Sequence, residues 1–197
     1  MKKSTTKLSS NKKKTVGIDY SLSSPAVCIC TGEFKFENCK IYYLTSVKKY
    51  EGDYLKGQLN GRLHLPYTSE QQRHDQISQW AFDLIGSADS DIFIEGYSFG
   101  SKGLVFNLAE NMGTLKHKLF KSNKKFESIV PGRVKKCATG KGNADKIKMY
   151  EQFKIDTNID LIKEFDQTKL NNPVTDIIDS YYVAKAGYEN VNGSKKS

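Results

Sequence analysis

Thr15-Val16-Gly17-Ile18-Asp19-Tyr20 is the stretch whose reading decides the fold. It is short and apolar until its last residues, and a small polar turn, Ser21-Leu22-Ser23-Ser24-Pro25, follows it. A run of this kind bounded by turn residues reads as a buried strand. It ends on a carboxylate. An acid at the exposed end of a buried strand is held rigidly and faces a cleft, which suits a metal ligand. Asp is also common simply where strands end, so Asp19 alone decides nothing. What matters is whether other carboxylates converge on it.

Working outward, 25–31 and about 40–48 give two further strands joined by short connections, so the first three strands should be antiparallel neighbours. Residues 51–68 hold three glycines and a proline with no clean period and read as a loop with a short helix. Residues 69–85 are helical: Ser69 is a candidate N-cap, and Ile77, Trp80, Ala81, Leu84 and Ile85 recur at helical spacing. His74 falls on the polar side and is expected to be exposed. Asp91 to Glu95 is a strand that again ends on an acid. Residues 104–120 form a second helix, with Gly113 inside it. Residues 126–130 are a fifth strand, 132–143 a basic glycine-rich loop, 145–155 a helix and 159–166 a shorter one. A last helix spans 174–186, with Asn172 as its cap and Pro173 in its first turn.

The expected fold class is therefore α/β: a mixed five-stranded sheet, three antiparallel strands then two parallel, with helices on both faces. Residues 1–14 are expected to be a flexible basic arm, 15–188 one domain and 189–197 a flexible tail.

Formal net charge is +9, and much of it sits outside that domain. Residues 1–14 contain six Lys and no acid. Within the domain the uneven stretch is 116–148, where eleven Lys and Arg face only Glu127 and Asp145. A basic block beside a carboxylate cluster suits an enzyme of a polyanion, with cations for phosphates and acids for metal. A solvated lysine-rich face is the plainer reading, and it is the better one for the ends of the chain. No stretch approaches the roughly 20 apolar residues of a membrane span, and the first residues do not form a secretory signal. Cys28 and Cys30 alternate on an apolar strand. With Cys39 and Cys137 they lack zinc-site spacing and are expected to be reduced, in a cytoplasmic compartment.

Besides Asp19 and Glu95, Asp176 and Asp179 stand three apart on the last helix, so they share a face. The helix dipole favours acids there in any case. Their neighbours Ile177, Ile178, Tyr181 and Tyr182 argue that this turn packs on the sheet, which brings at least one acid near the core. Four carboxylates without a histidine cluster favour Mg2+ or Mn2+ over zinc. Two such ions suit phosphodiester hydrolysis.

These pieces together resemble the RuvC family of Holliday-junction resolvases, within the RNase H-like superfamily. The matching segments are Val16-Gly17-Ile18-Asp19, Ile92-Phe93-Ile94-Glu95, the loop-to-helix segment 139–146, and Asp176-Ile177-Ile178-Asp179 with the residues after it. They occur in the family's order over about 15–188. The resemblance implies a homodimer that binds a four-way DNA junction and nicks two strands. It implies two Mg2+ ions, replaceable by Mn2+, on Asp19, Glu95, Asp176 and Asp179. It also implies phosphate contacts by Lys141 and by Lys146, which would stabilise charge in catalysis. An aromatic after Glu95 would stack on a base; the matching position is Ser98, flanked by Tyr97 and Phe99. The candidate DNA-contacting set is Tyr97, Phe99, Lys102, Arg133, Lys135, Lys136, Lys141 and Asn143. The helix 104–120 would be the dimer helix, and a core role explains its apolar stripe equally well.

Three features depart from the family. The turn after Asp19 is Tyr-Ser-Leu-Ser-Ser-Pro, the 33–68 stretch is longer, and an N-terminal arm is added. They suggest a divergent phage or viral branch, at work in a host cytoplasm, with specificity that extends to flaps or forks. The rival readings are a non-catalytic module that holds branched nucleic acid, and an RNase H-type ribonuclease. A phosphate-loop NTPase is excluded, because Lys135 and Gly142 stand where a Walker A motif needs Gly and Ser or Thr. A sugar-kinase or actin-like fold needs a second similar domain, for which the chain has no room.

Overall fold

The computed structural model describes residues 13–97 and 105–193. Phe99 and Lys102, and most of the expected N-terminal arm, lie outside them. The sheet is mixed and has seven strands: β1 (Lys14–Asp19), β2 (Ala26–Thr31), β3 (Cys39–Thr45), β4 (Gly52–Tyr54), β5 (Leu59–Leu63), β6 (Ser90–Glu95) and β7 (Phe126–Ile129). Their spatial order is β4-β5-β3-β2-β1-β6-β7. β1, β2 and β3 form the expected antiparallel meander, and β6 and β7 add in parallel beyond β1. The two additional strands arise from 51–68, where β5 pairs in parallel with β3 and the three-residue β4 closes the edge. Strands β1, β3, β5, β6 and β7 all run the same way, so Asp19, Thr45, Leu63, Glu95 and Ile129 end at one edge, here the upper edge.

Among the described residues, six α-helices complete the fold: α1 (Glu70–Ile85), α2 (Val105–Lys121), α3 (Pro131–Thr139), α4 (Lys146–Thr157), α5 (Leu161–Glu164) and α6 (Val174–Gly193). Strand alternation sends side chains to two cores. Val16 and Ile18 face α1 and α2, with Ile77, Ala81, Met112, Leu115 and Leu119. The other face meets α3 to α6 through Phe93, Ile129, Val134, Phe153, Ile177 and Tyr182. Among the described residues, no helix is long and apolar enough to cross a membrane.

Several elements differ from the sequence expectation. Residues 131–139, read as loop, are the helix α3. Pro131 occupies its first turn, and Val134 and Ala138, four apart, bury its inner face. His74 is buried, and its Nε2 has no hydrogen-bond partner among the described residues. It lies in phase with Ile77, Ser78, Ala81 and Ile85, which define the true inner face of α1. Lys14 already belongs to β1, and Lys13 pairs with Asp91 at 2.7 Å. α6 runs on to Gly193, through most of the residues expected as a tail.

The packing of α6 on β1 and β6 positions everything that follows. A Cβ on Gly17 would collide with the backbone of Ser180 and Ala184, and one on Gly187 with the Phe93 ring. Asp176, Ser180, Ala184 and Gly187 lie along one stripe of α6, and the last three are small enough for the helix to rest on the strands. The stripe thereby sets Asp176 over the upper end of β1.

Candidate carboxylate cleft

Asp19 and Glu95 follow the last register pair, Ile18 and Ile94, of two neighbouring parallel strands. Two residues before each stand Gly17 and Phe93, which meet α6, so alternation points both acids to the α6 face. Asp176 and Asp179 then arrive from the first turns of that helix. Asp176 is buried, and the other three keep a partly exposed edge. Thr175 Oγ1 donates to Asn172 Oδ1 at 2.7 Å and lies 3.3 Å from Asp176 Oδ2, which fixes the start of α6.

The cleft above these residues has a volume of about 300 Å3. Asp19, Glu95 and Asp179 line it with Lys135 and Lys146. Tyr20, Ser21, Gly96, Tyr97, Val105, Leu108, Met112 and Pro131 complete the wall. Removal from water raises the pKa of all four acids. The effect is strongest on Asp19, where the charges of Asp176, Glu95 and Asp179 add to it, and Asp176 is placed to share a hydrogen bond once a proton is bound. Asp179 pushes Glu95 up further, while Lys135 and Lys146 pull it down. The same two lysines oppose the rise at Asp179, and Lys146 opposes it at Asp176. The two lysines thus offset the burial of the four acids only in part.

Among the described residues, no three His, Cys, Asp or Glu side chains already stand as a closed set of metal ligands. Three of the acids line one cleft and Asp176 is buried, without a common point of convergence. Their chemistry nonetheless fits a hard divalent cation: the donors are carboxylate oxygens, and no His or Cys lines the cleft. All four cysteines are free, and Cys28, Cys30 and Cys39 are buried as expected of small apolar residues.

The remaining candidates divide. Lys135 and Lys146 reach the cleft, Lys135 from α3 and Lys146 from the first residue of α4. Tyr97 lines the cleft, with the Lys116 ammonium 5.3 Å from its ring centre. Lys141 and Asn143 lie exposed in the turn between α3 and α4. Arg133 and Lys136 line a different groove, beside Glu189 and Asn190, and Arg133 bonds to Asn190 there. Sequence reading missed Ser21 and the apolar wall from α2. Ser21 had a signal in its position next to the β1 end; Val105, Leu108 and Met112 had none apart from ordinary helical periodicity.

No protein-family model matches this chain, and no curated protein matches it. Solved structures do. A structure of Thermus thermophilus RuvC matches with a TM-score of 0.56 at 14% identity, over 91% of this chain and 96% of that one. T. thermophilus RuvC in complex with Holliday junction substrate matches with a TM-score of 0.59 at 12% identity and the same coverage. The chain has a RuvC-like fold.

Proposed function

We propose that this protein is a Mg2+-dependent, structure-selective DNA endonuclease that nicks four-way and related branched junctions. The observation that carries the proposal is the gathering of carboxylates from β1, β6 and α6, with Asp19, Glu95, Asp179 and two lysines lining one cleft and Asp176 buried on the turn of α6 before Asp179. Buried like charges are costly, and a divalent cation relieves that cost. The RuvC-like fold adds weight, because one matched structure is titled as a complex with Holliday junction substrate.

Asp19, Glu95, Asp176 and Asp179 would hold two Mg2+ ions, or Mn2+ in their place. Bound there, the metal supplies Lewis-acid polarisation of a phosphodiester and lowers the pKa of water. Lys135 and Lys146 place positive charge where the phosphate gains negative charge. Tyr97 offers a ring face to an unstacked base. Lys141 and Asn143 are free to meet the backbone of a DNA arm, and Arg133 and Lys136 could serve only a strand that wraps past α3.

Two copies are needed to nick two strands, and α2 carries a surface suited to self-association. Phe106 and Phe120 are 81% and 73% exposed, with Gly113 midway between them and open space above it. Exposed aromatics on either side of an open glycine give a second helix an apolar face to cover.

The deciding experiment is a labelled four-way junction incubated with and without Mg2+, beside a fork and an RNA–DNA hybrid. Nicking of the junction only with Mg2+, lost in Asp19→Asn, is the expected result. Binding without nicking makes the protein a holding module, and preference for the hybrid makes it a ribonuclease.

A further inference from the structure

The two stretches that set this chain apart from the family pattern, the turn after Asp19 and the long segment before α1, are bonded to each other. Ser21 in that turn lines the cleft beside Asp19, and Ser24 N donates to Ser21 Oγ at 3.0 Å. Two side chains then hold the turn from outside. His64 Nε2 lies 3.0 Å from the Ser23 carbonyl oxygen, and Arg73 Nη2 donates to the Leu22 carbonyl oxygen at 2.9 Å.

Both side chains are themselves fixed. His64 directly follows β5, and its backbone N donates to Thr45 O at the end of β3. Arg73, on the second turn of α1, lies 5.1 Å from the Tyr67 ring centre, with Nη1 3.5 Å from Glu70. The segment between them is anchored as well: Gln76 Nε2 donates to Pro66 O at 3.0 Å, and Thr68 N donates to Gln72 Oε1 at 2.7 Å. Arg73 therefore joins the segment, α1 and the cleft turn through one guanidinium.

The turn brings one partly packed leucine and three serines, of which Ser24 is buried with its Oγ lacking a hydrogen-bond partner among the described residues, so apolar burial contributes little to holding it. Charged and aromatic donors on its carbonyls provide what burial does not, and charge-assisted bonds are the stronger kind. We infer that residues 64–73 form a brace that sets the position of the Ser21–Ser24 turn, and with it Ser21 beside Asp19 in the cleft, with Arg73 and His64 as positioning residues. The inference rests on the nuclease reading above. The two lysines of the cleft act on the reacting groups directly; Arg73 and His64 act only through the turn.

The test compares Arg73→Gln, Arg73→Lys and His64→Gln with the unaltered chain. Four quantities are measured: junction nicking in Mg2+, junction binding with metal chelated, the rise in melting temperature on adding Mg2+ without DNA, and Trp80 emission. Trp80 is the single tryptophan and lines the pocket beside His64, so it reports whether the brace region is folded. Displacement of a reacting group by about 1 Å can cost roughly 100-fold in rate, so Arg73→Gln should lower kcat by about 10- to 100-fold. KM and junction binding should stay within about twofold, the pattern of a lost transition-state interaction. The Mg2+-induced rise should shrink. Arg73→Lys should recover part of the loss, since an ammonium can meet one carbonyl but cannot stack on Tyr67. The brace is wrong if Arg73→Gln and His64→Gln keep wild-type kcat and the full Mg2+-induced rise. It is also wrong if their losses follow unfolding seen at Trp80 and vanish on cooling. An unaltered protein that never nicks overturns the nuclease reading instead, while the melting shift still tests the brace.

Discussion

At the lower end of the sheet, where β1, β6 and β7 begin, a groove of about 750 Å3 is lined by Lys13, Lys124, Lys125, Asp89, Asp91 and Glu127 among others. At the upper end, a cleft of about 300 Å3 holds Asp19, Glu95 and Asp179 with Lys135 and Lys146. Both contain acids and lysines, and the lower one is larger. The difference lies in solvation and pairing. Lys13 meets Asp91 at 2.7 Å with about half of the lysine side chain exposed, and water screens what remains. Above, α6 presses two acids toward two others, and burial raises the pKa of all four. Cavity size is thus a poor guide to chemistry here, and unrelieved charge is a better one.

Several measurements would break or sharpen this contrast. The largest effect is expected from Asp19→Asn, which should lower junction nicking by about 1,000-fold, as loss of a central electrostatic group does, while junction binding persists. Lys146→Ala should lower nicking by about 100-fold with the fold intact, whereas Lys125→Ala at the other end should change it by no more than about twofold, as expected for an exposed lysine. Equal losses from the two would erase the distinction between the ends.

Gly17→Ala should destabilise by about 1–3 kcal/mol through overpacking, read as a lower denaturant midpoint, because the new Cβ meets the α6 backbone. A protein unaffected by that change would mean that α6 is not held against β1 as described.

The raised acidities set a pH trend for the metal-free protein. Unfolded carboxylates titrate near about 4, and these four titrate higher when folded, so the folded state binds more protons in between. Stability should therefore fall as pH rises from the unfolded values through the folded ones. In melting scans with metal chelated, Asp19→Asn should flatten that fall and raise the midpoint near neutral pH by a few degrees, since about 1 kcal/mol moves it about 2–4 °C in a chain of this size. A steeper fall in the variant would contradict the assigned repulsion. Lys13→Ala should give the smallest response, at most about 0.5 kcal/mol.

How much of this was legible in the sequence depended on the local signal. β1, β2, β3, β6 and β7 announced themselves as apolar runs between turn residues. α1 and α6 did so through helical spacing and capping residues. β4 and β5 did not, because Gly52, Gly57 and Gly61 interrupt any alternation, and β5 is held by its pairing with β3. Gly61 is itself a packing requirement, since a side chain there would strike Tyr43 and the Tyr50 carbonyl. α3 was hidden by Gly132, Gly140 and a run of lysines, although Val134 and Ala138 carried the right spacing. His74 was misjudged because Trp80 and Leu84, which are only half-buried, pulled the estimated inner face of α1 round. The acids at the strand ends were readable because strand termini and an i, i+3 pair constrain direction. The bonds from His64 and Arg73 to the cleft turn were not, since they depend on the strand pairing that the glycines concealed.

The lower groove has a practical use. Lys13 and Val191 both line it, so the described chain enters and leaves the domain on the side away from the carboxylates. A fluorophore or surface linkage placed beside Lys13 or Val191 would sit away from the cleft, which suits a single-molecule test of the proposed nicking.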